Sequence, residues 1–127
     1  MVVMPDLIGF LIDEIDDAVT VDGVATDLVG YDSTSSWVHL VESPGAEIIP
    51  NRLEAPTVDF NVYAPTIEET RLLCMQVKSA VRALIGKYTS ELVITNVSID
   101  TTPFSLTDLV NNQPRYIFTA SIFYRPK

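Results

Sequence analysis

Apolar residues recur at helical spacing from the start of the chain: Leu7, Ile8, Leu11, Ile12 and Ile15 follow Pro5-Asp6. This predicts a first helix that ends near Ala18. Val19 to Thr26 then alternates around Asp22-Gly23, which predicts a β-hairpin, because a type I′ turn needs positive φ at both central residues. After a polar break at residues 33–36, Trp37 to Glu42 reads as a strand that Ser43-Pro44-Gly45 turns out of. Pro44, Pro50 and Pro56 bracket a predicted loop of about a dozen residues, long enough to suspect a role. Thr57 to Tyr63 alternates cleanly, with Val58, Phe60 and Val62 on one face and Asp59, Asn61 and Tyr63 on the other. Pro65 ends that strand, and Thr66 to Glu69 forms a capping box for a long helix. Leu73, Val77, Ala80, Val81 and Leu84 form the helix's apolar stripe, and Gly86 serves as its C-terminal cap. Glu91 to Ile99 is a further strand, and Asp100 to Pro114 reads as a second long loop. Arg115 to Tyr124 is the last strand, with Tyr116, Phe118, Ala120, Ile122 and Tyr124 sharing one face. The predicted order is helix, hairpin, two strands, long helix, two strands. It describes a single α+β domain over residues 1–127, a largely antiparallel or mixed sheet flanked by two helices.

Charge changes this picture more than composition does. Net charge is −9, which argues against sequence-specific nucleic-acid binding, since phosphate contacts need a basic surface. The first 50 residues hold ten acids and neither Lys nor Arg, whereas all eight basic residues lie from Arg52 onward beside the other seven acids. Asp13, Glu14, Asp16 and Asp17 crowd the end of the first helix, the wrong sign for the negative end of a helix dipole. A cationic neighbour would relieve them. Arg71, Lys78 and Arg82, at spacings of seven and four, line a ridge opposite the apolar stripe of the long helix. One copy's ridge can thus meet the next copy's acidic end, and such a heterologous contact closes into a ring or grows a filament.

Candidate chemistry is sparse. His39 is the single histidine, placed mid-strand with no partner at ligand or triad spacing. Cys74 adjoins the apolar stripe and reads as a buried structural thiol; one cysteine makes no internal disulfide, which fits a reducing compartment during synthesis. No glycine-rich phosphate loop, nucleophile elbow or calcium loop is present, so neither a catalytic residue, a cofactor site nor a metal site is assigned. No apolar run approaches the roughly 20 residues that span a bilayer. LIGFLI is short, lacks a basic lead-in and is followed at once by acids, which reads against a signal peptide. Within the Pro44–Pro56 segment, Ile48 and Ile49 are large apolar residues with no periodic pattern around them. With Arg52 they form a candidate contact tip.

The order of these segments resembles the tail terminator (tail completion) proteins of long-tailed bacteriophages. The resemblance covers nearly the whole chain. It rests on the helix PDLIGFLIDEI, a strand closing at Ser43-Pro44-Gly45, the strand TVDFNVYA, the helix TIEETRLLCMQVKSAVRAL, a late loop, and the closing segment QPRYIFTASIFYRP. Pro114-Arg115-Tyr116, with Arg125 near the end of that strand, is its most telling local feature. Where family members often carry two glycines at the end of the first strand, this chain has Pro44-Gly45. The resemblance implies a ring, typically of six copies, that sits on the last ring of tail-tube subunits, faces the head connector and performs no chemistry. It places the protein in the virion at the tail–neck junction, and in the host cytoplasm during assembly. Asp13, Glu14, Asp16, Asp17, Arg71, Lys78 and Arg82 would then serve contacts between subunits, and Ile48, Ile49 and Arg52 contacts with tube or connector. Another head–tail connector or minor tail protein of similar fold is the nearest alternative, and a small enzyme or ligand-binding domain the distant one.

Overall fold

The computed structural model describes residues 3–29, 31–32, 34–107 and 113–127. Helix α1 (Leu7–Ala18) starts at Asp6, whose carboxylate accepts from the Gly9 amide at 3.0 Å. A short strand β1 (Gly23–Ala25) follows, then β2 (Trp37–Ile49) and β3 (Leu53–Tyr63). Helix α2 (Ile67–Arg82) is opened by Thr66, whose hydroxyl accepts from the Glu69 amide at 3.2 Å, half of the expected capping box. Strands β4 (Leu92–Thr107) and β5 (Pro114–Pro126) close the chain. Ala83, not the expected Gly86, is the C-cap of α2; Gly86, at φ 85°, takes the left-handed conformation three residues later, in the turn that leads to β4.

All five strands form one mixed sheet in the order β1-β2-β3-β5-β4, parallel between β1 and β2 and antiparallel elsewhere. Its frame is two long hairpins, β2–β3 and β4–β5, joined where β3 pairs with β5. At that seam Phe60 opposes Phe118, and their rings stack at 4.8 Å. Alternation sends Val38, Leu40, Val58, Phe60, Val62, Phe118, Ala120 and Ile122 to one face. There they form a single core with Phe10, Leu11 and Ile15 of α1 and Leu73, Cys74, Val77 and Val81 of α2. Both helices therefore cover the same face. The opposite face carries His39, Asn61, Thr119 and Ser121 and is only partly shielded, chiefly where Tyr31 packs on Trp37 and Tyr63. No helix among the described residues is long and apolar enough to cross a membrane.

The α+β class, the mixed sheet and both helices agree with the sequence reading, and three expectations about the strands are corrected. The hairpin around Asp22-Gly23 does not form: Gly23–Ala25 pairs in parallel with Trp37–His39. Asp22 is spent elsewhere, its carboxylate accepting from the Ser36 amide at 2.8 Å. Gly23 is glycine because a Cβ there would lie 2.2 Å from the Trp37 ring, not because a turn requires it. Next, the segment from Pro44 to Pro56 is not a loop. β2 runs on to Ile49, β3 starts at Leu53, and both prolines sit where the ladder shifts register between Ser43 and Ala46. Finally, β4 runs through Pro103 to Thr107, with a register shift between Thr101 and Phe104, where a second loop was expected. The rest of that expected loop, residues 108–112 with Asn111 and Asn112, lies outside the described residues.

Candidate functional site

The candidate surface begins with the charges on the helix layer. Asp13, Asp16 and Asp17 are exposed on α1. Glu14 has found its cation within the same chain: Lys87, just past α2, donates to it at 2.8 Å. That is the only ion pair among the described residues, and with both partners partly exposed it contributes about 0.2–1 kcal/mol. It gives Glu14 a partner within the chain and supplies a cationic neighbour of the kind the acidic helix end calls for.

Arg71, Lys78 and Arg82 occupy a different side of α2. The flank of α2 next to the end of α1 carries Met75, Gln76, Ser79 and Ala80, which line a groove with Ala18, Val19 and Thr20. Helical spacing turns Arg71 and Lys78 to the other flank, beside Cys74, with Arg82 on the outer surface. None of the three is in an ion pair among the described residues. Among the described residues no acid of α1 is paired with the ridge. Leu72 and Met75, both more than half exposed, extend the outer face of α2 with apolar surface.

A second feature is the β2–β3 arm. β1 covers the outer edge of β2 only as far as His39, so from Leu40 onward that edge carries unpaired backbone groups. Beyond the register shift the arm leaves the helix layer, and every β2 residue from Pro44 to Ile49 is exposed. Asn51, at φ 54°, makes the tight turn with Arg52, whose amide donates to the Ile49 carbonyl at 2.9 Å. Ile48 and Ile49 stand 48% and 47% exposed, so the tip is not folded back onto the core.

No family model matches the chain, and no curated protein matches it significantly.

The groups with displaced titration lie on separate elements. The Asp32 carboxyl is held below its usual range by hydrogen bonds from the Thr34 hydroxyl and amide and from Ser35. Burial inside α2 pushes the Cys74 thiol up to about 12. Tyr124 is raised by burial, then by Glu54, Glu42 and Asp6 around it. Among the described residues no three His, Cys, Asp or Glu side chains are placed to hold a metal ion. His39 is half-buried, with Nε2 3.2 Å from the Thr26 carbonyl oxygen.

Arg125 was not singled out as a contact residue by sequence. It lines a cavity with Asn51, Arg52 and Pro126, so two cations distant in the chain share one site. Only the pairing of β3 with β5 brings the end of β5 beside the arm's turn, and no local motif encodes that contact.

Proposed function

We propose that this chain is a structural subunit that assembles head-to-tail into a ring, and that the ring is the terminator capping the tail tube at the neck of a long-tailed phage. One observation carries the proposal: Asp13, Asp16 and Asp17 of α1 and Arg71, Lys78 and Arg82 of α2 are in no ion pair within the described residues, which leaves both clusters to pair between copies. The tail assignment rests on the resemblance in segment order, and the corrected strand lengths fit it, because two long hairpins under two helices form a rigid block with an arm to spare. In this reading Ile48 and Ile49 at the arm's tip face the tube or connector, and the role is mechanical rather than catalytic.

The test is electron microscopy of particles assembled without the protein. The expected result is tubes of uncontrolled length together with heads lacking tails. Tails of normal length joined to heads would refute the assignment.

A further inference from the structure

The arm carries acids along one groove and arginines around a separate cavity. On the helix-side face, Glu42 and Glu54 approach Tyr124, and Glu42, Glu47 and Glu54 line a groove floored by Pro44, Gly45, Ala46 and Pro56. No basic residue lines that groove. Alternation along β5 turns Arg125 away from Tyr124, and with Asn51, Arg52 and Pro126 it lines an open cavity of about 320 Å³ that no acid among the described residues lines. The one hydrogen bond of the Arg125 guanidinium within the described residues goes to the neighbouring Pro126 carbonyl at 3.1 Å. Neither arginine is in an ion pair among the described residues. Two arginines on one cavity offer forked donors suited to carboxylates.

We propose that the Arg52–Arg125 cavity docks a second copy of this chain, through that copy's Glu42, Glu47 and Glu54 groove. Charge decides the occupant. Two copies at −9 each repel, so a stable contact has to set the few unpaired cations on acids. The acidic groove and the arginine cavity share no lining residue, and no ion pair joins them within the described residues. Each is free to take the other from a neighbour, which makes the contact heterologous. Arg52, grouped by sequence with Ile48 and Ile49 as a tube or connector contact, is reassigned to the neighbouring copy. The inference does not depend on the tail-tube reading, because it concerns the isolated protein.

Self-association of the full chain, followed by sedimentation velocity over a concentration series at low and moderate salt, tests it. One variant carries Arg52→Glu and Arg125→Glu, another Glu42→Arg and Glu47→Arg, and a third all four changes. All four side chains are exposed, so thermal unfolding should stay near wild type. Each double variant should associate about tenfold more weakly or worse. The fourfold variant should recover, and an equimolar mixture of the two doubles should form complexes that neither forms alone. The neutral pair Arg52→Gln and Arg125→Gln provides a milder loss should a reversal disturb folding. A wild-type protein that remains monomeric, doubles that associate like wild type, or folded reversals with no mutual rescue would each overturn the proposal. Loss of anionic-polymer binding in the arginine variants, with self-association intact, would assign the cavity to phosphates and overturn it too.

Discussion

Gly45 is the residue on which the arm's geometry turns, and Gly45→Ala measures how tightly the arm is held. A Cβ at this position would lie 2.0 Å from the Ala55 carbonyl oxygen and 2.5 Å from the Pro56 Cα, both backbone atoms of the partner strand. Contacts under 3.0 Å are essentially never seen for a real Cβ, so the strands must part by about 1 Å. β3 cannot take up the movement, because Thr57 and Val58 pair with Ser121 and Ala120 on its other side. The displacement therefore falls on β2 and opens the pairings of Ser43 with Thr57 and Ala46 with Ala55. Two or three ladder hydrogen bonds, at about 0.5–1.5 kcal/mol each, put the cost at about 1–4.5 kcal/mol. Because the solvated arm can open by itself, the global loss should sit at the low end of that range. Urea unfolding followed through Trp37 gives the global term, and amide exchange at residues 43–49 gives the local one. Gly86→Ala is the control: φ of 85° costs about 1–2 kcal/mol there, with no atom within 4 Å to displace and no effect on the arm. If Gly45→Ala leaves arm exchange unchanged and stability within about 0.5 kcal/mol, the close approach is not a constraint and the argument fails.

Reversing Lys78 and Arg82 to Glu should weaken ring formation in mass photometry with little change in monomer unfolding, and adding Asp16→Lys and Asp17→Lys should restore part of it. Exposed pairs are worth about 0.2–1 kcal/mol each, so the effect should fade with salt. Ile48→Asp with Ile49→Asp should leave unfolding within about 0.5 kcal/mol, since both side chains are half exposed, while tail joining fails. The Cys74 thiol should resist aromatic disulfide reagents in the native protein and react on unfolding. Its folded pKa of about 12 lies above the ordinary 9.0, so the unfolded state loses its proton first. That contribution to stability is complete below about pH 9 and declines as pH rises toward 12; Cys74→Ala should flatten this decline in pH-dependent urea midpoints.

The helices and the strands at Thr57–Tyr63 and Arg115–Tyr124 were legible because burial on one face writes a period into the sequence that tertiary context reinforces. The arm was not, because Ser43-Pro44-Gly45 has the chemistry of a turn. A proline and a glycine are equally at home in a bulge, and β2 tolerates Pro44 because its outer edge there has no partner strand. Pro103 hid the length of β4 in the same way, since β4 is the other edge. Asp22-Gly23 misled for a different reason: close approach of a tryptophan ring selects glycine as strictly as a turn does. Of the contact surface, the charge clusters were visible as composition. The pairing of Glu14 with Lys87, and of Arg125 with Arg52, depends on which strands and helices become neighbours, and side-chain pattern does not specify that.

The seam between β3 and β5 also sets the order in which the chain can fold. Each hairpin closes across a short span of sequence, on a timescale of microseconds. The seam joins residues such as Asp59 and Thr119, with α2 and β4 strung between them, so its closure carries the larger loop entropy and comes later. β5 follows every other strand in the chain, which leaves the inner edge of β3 without its partner while the rest is being synthesised. An unpaired edge flanked by Val58, Phe60 and Val62 is a template for aggregation. Pro56, which offers no amide, and Asp59, which brings a charge, interrupt that edge as gatekeepers. The guard stands down only when the Thr119 hydroxyl arrives with β5 and donates to the Asp59 carboxylate at 2.7 Å.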